Sequence, residues 1–404
     1  MRKMMDSFPD DLWAIILVLL PLKTITASKL VCKQWKSIVE SSFFRELFIS
    51  HHENSHSSPW SLMCKNDPVE VLSHYGGEIW GLGRSLNSYI YSFLTKKFVN
   101  HQEIYKHAKV VAYTDVGLVL IRVVSLFGNV SYFVANPVSE ECVETDPPWF
   151  EPMHYFWPLG IATRTEKNGV LSGFKVVLLF DAMAVPWKKS LKFLVYSSET
   201  GLWSLETVQV PVFFWRHDYH NPISSNGSLH WLARNHNNDE AVVSIDFYSA
   251  GTGSVLVTPF PDLGKSPKFN RACTTCQGFL VYMNVVSVTK DDGSVDDRFS
   301  VWKLKSRKWQ LVSEIVRENG FNYIPFAINP IDGKSVYFWS TYGNCLLSMN
   351  LLNGEFVCLN KFERGCISSS IECAKVMACI RGPIFSSFVL PLWVHRIPNK
   401  LREV

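Results

Sequence analysis

The segment FPDDLWAIILVLLPLKTITASKLVCKQWKSIVESSFFRELF, residues 8–48, decides how the chain begins. Pro9 suits the start of a helix, and Asp10 and Asp11 favour the positive end of the helix dipole. Pro21 stops this helix after about three turns. The first stretch therefore predicts a short helix with an acidic beginning and a sharp end.

Two further helices are expected in the same segment. Thr24 or Thr26 begins a second, very short helix. A third runs from about Val31 to Glu40, where apolar residues recur at helical spacing. The sequence thus predicts a three-helix unit over residues 1–50.

The first helix has no polar face after its acidic start. Its residues form one apolar stripe, Leu12, Ile15, Ile16, Leu19 and Leu20, and the side chains between them are apolar as well. A helix of this kind has to be covered all round. A unit of about 45 residues buries too little surface to cover one of its own helices. Either the rest of the chain or a partner protein must cover it.

The segment resembles an F-box. That family's pattern opens with Leu-Pro and an acidic helix start, continues to Leu-Pro-Leu-Lys, and ends in a Val-Cys-Lys-x-Trp core, which match residues 8–12, 20–23 and 31–36 here. Phe8 replaces the usual leucine and keeps an apolar contact. F-boxes bind the Skp-type adaptor of Skp/cullin/F-box ubiquitin ligases. The resemblance implies adaptor contacts by Pro9, Leu12, Ile16, Leu20, Pro21, Leu22, Val31, Cys32 and Trp35.

A polar linker is predicted over residues 51–75, where few apolar residues recur. Such a linker would allow few contacts between the parts that it joins. Its histidines His51, His52 and His56 leave a metal site as an alternative. A solvated connector is the favoured interpretation, because flexible ligands lose conformational entropy when they bind a metal.

Cys273 and Cys276 have the spacing of metal ligands, but no second pair stands ready to complete a tetrahedral site. We therefore predict no metal and no other cofactor. Ten cysteines are spread through a large chain that does not need disulfides for stability. Reduced thiols indicate the cytoplasm or the nucleus.

Strand signals dominate residues 76–396, and no helical stripe is expected there beyond two turns. Hairpin turns recur at 94–97, 136–140, 198–201, 249–253, 305–308 and 352–355. A spacing of about 45 to 60 residues is typical of a propeller blade. The predicted fold class is multi-domain α + all-β, a three-helix unit followed by a β-propeller of about six blades, with seven as the alternative. A C-terminal strand from Ser386 is expected to pair with the first blade.

This second region resembles the F-box-associated, kelch-like domain of the large plant F-box family. The resemblance rests on YFVANPVSEE from Tyr132, GFKVVLLF from Gly173, FLVYSSETGLW from Phe193, NGSLHWLA from Asn226 and VVSIDF from Val242. It covers most of residues 110–360 and implies a ring that holds a target protein.

Two aromatic loops are the predicted target contacts, PPWFEPMHYFWP from Pro147 and VPVFFWRHDYHNP from Val210. The candidates within them are Trp149, Phe150, Phe214, Trp215 and Arg216. Aromatic and arginine side chains in loops are common interface anchors. Packing between blades is the alternative role for the same residues.

Other classes of function find little support in the sequence. Its 40 basic and 36 acidic residues are scattered, which argues against nucleic acid, and the apolar run of the first helix is too short to cross a membrane. No P-loop or GxSxG motif indicates an enzyme. Residues 217–220, His-Asp-Tyr-His, are interpreted as an ordinary polar loop.

Two hypotheses of function remain. In the first, the chain is a non-catalytic substrate receptor that links an unknown target protein to a Skp-type adaptor and, through it, to a cullin. In the second, the propeller is a non-degradative scaffold or binds a carbohydrate or metabolite. The F-box resemblance favours the first.

Overall fold

A computed structural model describes the following residues: 8–52, 59–64, 70–74, 79–101, 104–147, 156–166, 170–180, 190–209, 214–216, 222–235, 240–249, 255–262, 264–265, 268, 271–317, 321–340, 345–359, 385–393 and 396–398. None of the helices in these ranges is both long enough and apolar enough to span a membrane.

Four helices make up the N-terminal helical unit: α1 (Asp10–Leu17), α2 (Leu22–Ser28), α3 (Lys33–Glu40) and α4 (Ser42–His52). The prediction of three was wrong because it overlooked α4. The hydroxyl of Ser41 accepts a hydrogen bond from the backbone N–H of Phe44 at 3.1 Å, which caps this helix. Phe44 and Phe48, one turn apart, are both fully buried.

The start of α2 also differs from the prediction. The helix begins at Leu22, directly after Pro21, and not at Thr24 or Thr26. Pro21 precedes the helix in an extended conformation with φ fixed by its ring, and no side chain caps the helix. The backbone N–H of Leu22 donates instead to the carbonyl of Ile79.

Six antiparallel sheets follow within the described residues. Sheet 1 contains β1 (Trp60–Cys64), β2 (Glu70–His74) and β24 (Phe385–Val389). Sheet 2 contains β3 (Tyr105–Tyr113), β4 (Val119–Ser125), β5 (Val130–Asn136) and β6 (Glu141–Thr145). Sheet 3 contains β7 (Phe156–Thr165), β8 (Leu171–Phe180), β9 (Ser190–Ser197) and β10 (Leu202–Gln209).

Sheet 4 contains β11 (Phe214–Arg216), β12 (Ile223–Ser225), β13 (Ser228–Asn235), β14 (Glu240–Asp246) and β15 (Leu256–Pro259). Sheet 5 contains β16 (Ala272–Cys276), β17 (Phe279–Thr289), β18 (Val295–Lys305) and β19 (Lys308–Arg317). Sheet 6 contains β20 (Tyr323–Ile328), β21 (Ser335–Ser340), β22 (Cys345–Asn350) and β23 (Phe356–Leu359).

Successive sheets contact one another through strands at one edge of each sheet. Strand β3 contacts β7, β7 contacts β12, β12 contacts β16, and β16 contacts β20. Strand β24 of sheet 1 contacts β3 of sheet 2. Between sheets 6 and 1, the rings of Tyr337 and Trp60 lie 5.7 Å apart.

Alternating side chains let each sheet pack on both faces. In β4, Val119 and Ile121 join the hydrophobic cluster shared with the N-terminal helices, whereas Leu120 joins the cluster shared with sheet 3. This alternation is the two-residue period of a strand whose two faces are both buried.

The helical unit and sheets 1 and 2 share one hydrophobic cluster. It includes Leu17, Val18, Phe44 and Phe48 from the helices, with Met63, Phe388 and Trp393 from the region of sheet 1. The indole N–H of Trp80 donates to the carbonyl of Pro391 at 2.8 Å, which ties the C-terminal segment to residues 79–84. The expectation of few contacts between the two parts was therefore wrong.

Residues 51–75 are not a linker throughout. They contain the end of α4 and the strands β1 and β2. Trp60 and Met63 are fully buried, because β1 pairs on one side with β2 and on the other with β24. The pairing of the C-terminal strand with the first sheet was correctly predicted.

The second region is not entirely β-structure. Helix α5 (Leu86–Lys97) and a 3₁₀ turn (Val99–His101) lie between sheets 1 and 2, so the predicted hairpin turn at 94–97 is wrong. The turns predicted at 136–140, 198–201, 305–308 and 352–355 do connect paired strands. The turn predicted at 249–253 lies largely outside the described residues.

Candidate functional site

Helix α1 has two apolar faces with different surroundings. Ala14, Leu17 and Val18 are buried in the cluster shared with the sheets. On the other side, Ile15 is 55% exposed and Leu19, just beyond the helix, is 64% exposed. The chain itself therefore covers only one face, and the other is left to solvent or to a partner.

Further exposed apolar residues follow α2. Leu30 is 90% exposed, and Val31 beside it is exposed too. We call the following set the outer apolar surface: Leu12, Ile15, Ile16, Leu19, Leu30 and Val31. All six belong to one compact unit, since α1 and α2 both pack against α3.

Side-chain contacts hold α1 and α3 together. The rings of Trp13 and Trp35 lie 4.9 Å apart, with an interplanar angle of 58°. The side-chain amide of Gln34 donates to the Asp10 carboxylate at 2.9 Å. The Cys32 thiol caps α3 by accepting from the backbone N–H of Trp35 at 3.4 Å. These contacts fix α1, which carries part of the outer apolar surface, against α3.

The predicted adaptor contacts fall into three classes. The exposed ones are Pro9, Leu12, Ile16, Val31 and Cys32, and the half-buried ones are Leu20, Pro21 and Trp35. Leu22 is buried in the core and does not lie on the surface. Its backbone N–H donates to the carbonyl of Ile79 at 2.6 Å, which places a later part of the chain over it.

Three exposed residues were missing from the predicted contacts, namely Ile15, Leu19 and Leu30. The first two belong to the apolar stripe found in the sequence, so the signal was present. The family motif does not include these two positions, whereas the apolar stripe does. That these residues bind an adaptor stays a prediction.

The predicted target contacts are placed only in part. Trp149, Phe150 and residues 217–220 lie outside the described residues. Phe214, Trp215 and Arg216 form strand β11 and not a loop, and β11 pairs with the end of β13, Trp215 opposite Arg234. Pairing with β13 explains the difference, since backbone hydrogen bonds extend the sheet to these residues.

Cys273 and Cys276 both lie in β16. Burial raises the pKa of the Cys273 thiol, and it raises the pKa of Cys276 to about 11, so both free thiols stay protonated near neutral pH. Of the three linker histidines, His51 and His52 end α4, and His56 lies outside the described residues. Within the described ranges, no group of three or more histidine, cysteine or acidic residues has the arrangement of a metal site.

Comparison with known proteins gives two family matches, one over the N-terminal helical unit and one over the six sheets. The F-box domain family matches residues 5–47, and the family described as "F-box protein At3g26010-like, beta-propeller" matches residues 58–399. The F-box protein At3g28330 of Arabidopsis thaliana is 50% identical over all of this chain and 99% of its own length. Two other proteins of that plant, the F-box proteins At1g49990 and At3g26010, are each 31% identical. The alignments cover 95% and 96% of this chain, and 96% and 90% of those proteins.

Proposed function

This chain belongs to the F-box proteins with an At3g26010-like β-propeller, and from that premise we propose that it is the substrate-recognition subunit of a Skp/cullin/F-box ubiquitin ligase. The F-box binds the Skp-type adaptor, and the adaptor links the chain to a cullin. The propeller binds a target protein, and the chain itself performs no chemistry. The complex acts in the cytoplasm or the nucleus.

One observation carries the adaptor side of this proposal. The outer apolar surface lies in the segment that matches the F-box family, although the inner face of the same helix is fully covered by the chain. Leaving several large apolar side chains in water is unfavourable by about 25 cal/mol per Å². A surface of this kind is stabilised when a partner protein covers it.

We further propose that the six sheets are the blades of a propeller and that the target binds at the end away from the helices. The backbone N–H of Val389 donates to the carbonyl of Thr114 at 3.4 Å, so the turn from β3 to β4 lies on the helical side. Because the strands are antiparallel, β6 ends on the opposite side. In the sequence, Trp149 and Phe150 follow β6 and precede β7.

Strand β11 supports the same placement. It pairs with the last residues of β13, at the end of that strand away from the β12–β13 turn. If equivalent strands of successive blades run in the same direction, this end corresponds to the end of β4 away from the β3–β4 turn. We therefore propose that Phe214, Trp215 and Arg216 contact the target at this end of the β domain.

The adaptor side is tested by co-purification. The full chain is expressed with a Skp-type adaptor and a cullin and is purified through a tag on the chain. We expect Leu19→Asp to lower adaptor recovery about tenfold or more, because it places a charge in an apolar interface. Leu352→Asp is the matched control, since Leu352 is exposed in the turn between β22 and β23.

Loss of the adaptor from the wild-type chain, or its retention by Leu19→Asp, contradicts the proposal. Adding ubiquitin and the transfer enzymes separates the two hypotheses of function. A receptor supports ubiquitin transfer within the complex, whereas a non-degradative propeller binds its ligand without it.

A further inference from the structure

The segment 79–84 lies against the edge of the helical unit, outside the residues that match the F-box family. Gly81 has a φ of +60°, and a Cβ atom there would lie 2.9 Å from the Cβ of Pro21 and 3.8 Å from the Cβ of Lys23. A glycine is therefore needed for this close approach. Pro21 is one of the predicted adaptor contacts, so the segment borders the proposed docking surface.

Arg84 follows three residues later and is held in place although it is exposed. Its guanidinium carbon lies 4.6 Å from the centre of the Tyr89 ring, and its Nη1 donates to the Ser92 hydroxyl at 3.0 Å. The next residue, Ser85, caps α5 by accepting from the backbone N–H of Ser88 at 3.1 Å. Arg84 thus lies between two fixed parts of the backbone, Gly81 packed against Pro21 and Ser85 at the start of α5.

The positive charges of Lys23 and Arg84 are not neutralised by any neighbouring acidic side chain that the structure describes. Among the residues that the structure describes, neither Lys23 nor Arg84 forms an ion pair with an acidic side chain. Both side chains are exposed, and they belong to the two chain segments that meet where Gly81 packs against Pro21. An anionic partner would supply the counter-charge that both cations lack within the described ranges.

We propose that Arg84, together with Lys23, extends the adaptor-docking surface beyond the F-box and binds a carboxylate on an acidic surface of the adaptor. This inference rests on the proposed function. An arginine guanidinium matches a carboxylate with two parallel hydrogen bonds. Because the ring of Tyr89 and the hydroxyl of Ser92 already order the side chain, less conformational entropy is lost when it binds.

The test measures the affinity of the purified full chain for a purified Skp-type adaptor by calorimetry. At about 0.15 M salt we expect Arg84→Glu to weaken binding about five- to tenfold, and at about 1 M salt we expect most of that difference to vanish, since salt screens exposed charges. Arg84→Lys should keep the charge but lose the two-pronged geometry, with a loss of about twofold to threefold.

Arg307→Glu is the matched control and should bind the adaptor like the wild type. Arg307 is exposed in the turn between β18 and β19 and, within the described residues, has no ion pair. Equal melting temperatures of the variants exclude unfolding as the cause of any loss.

Two outcomes overturn the inference in different ways. If the wild type binds the adaptor and Arg84→Glu binds it equally well, this inference fails and the proposed function stands. If the wild type does not bind the adaptor, both fail. Unchanged adaptor affinity with a loss of binding to anionic vesicles or to RNA would assign the cations to another partner.

Discussion

The indole ring of Trp393 lies 5.2 Å from the ring of Phe48, at an interplanar angle of 65°, and both side chains are buried. Phe48 belongs to α4, and Trp393 follows β24 by four residues. Phe44, one turn earlier in α4, contacts the same indole at 6.0 Å. The last part of the chain therefore completes the core of the first part.

This contact makes the helices and sheet 1 interdependent. We expect Trp393→Ala to lower the free energy of unfolding by about 3–5 kcal/mol, because a large side chain leaves a cavity that aromatic neighbours cannot fill. Chemical denaturation followed by circular dichroism should show helices and strands unfolding together. A separate, earlier transition of the helices would contradict a shared core.

Ala14 and Ile15 are neighbours on α1 with opposite surroundings, and they separate folding from binding. Ala14→Asp places a carboxylate in the core and should cost about 3–5 kcal/mol of stability. Ile15→Asp changes an exposed position and should cost less than about 1 kcal/mol, yet it should abolish adaptor binding. Thermal melting and adaptor co-purification measure the two effects. Equal destabilisation by both variants would show that the outer face is also structural.

Asp115 gives stability a dependence on pH. Burial in the turn between β3 and β4 raises the pKa of its carboxyl to about 6. Because the folded state holds this proton more tightly than the unfolded state, stability falls as pH rises from about 4 to about 6. Asp115→Asn should remove that fall, so its stability relative to the wild type should rise by about 2–3 kcal/mol between pH 4 and pH 7.5. A pH-independent difference in denaturation experiments would contradict this.

Asp297 has the opposite dependence. Burial alone would raise its pKa, but hydrogen bonds from Lys268, from the Ser287 hydroxyl at 2.6 Å and from the backbone N–H of Phe321 together lower it. The stability that these bonds contribute is present above the carboxyl's ordinary pKa and is lost as pH falls below about 4.

Asp297→Asn should therefore cost about 2–3 kcal/mol at neutral pH, with a smaller penalty in acid. Denaturant unfolding at several pH values measures this difference. Asp291→Asn, at an exposed position of the turn between β17 and β18, is the control and should be nearly neutral. A penalty that does not shrink in acid would show that the loss is steric and not electrostatic.

The sequence predicted the elements whose signals are local. Prolines and the helical spacing of apolar residues located the first three helices, and four of the six hairpin turns join paired strands. Helix α5 was missed although Leu86, Ile90 and Leu94 recur at helical spacing and Ser85 is a suitable cap. Tyrosine and phenylalanine between them favour strands, which hid the helical period.

Other features depend on residues far apart in the chain. Trp60 pairs with Val389, so no local signal marks β1 as part of a three-stranded sheet. Leu22 matches the family motif, but its burial depends on Ile79. A family motif likewise indicates which residue types occur on the docking surface. The exposure of Leu19 and Leu30 depends instead on how the four helices pack against the sheets.

The pairing of β1 with β24 has a consequence for the chain while it is being made. The four helices of residues 10–52 are synthesised long before Phe388 and Trp393, which cover their inner face. Until these residues have been synthesised, the inner face of α1 lacks part of its cover, and such a chain is a natural client for chaperones that bind apolar segments. A message cut short before codon 385 would yield a product held in that unfinished state and exposed to quality-control proteases.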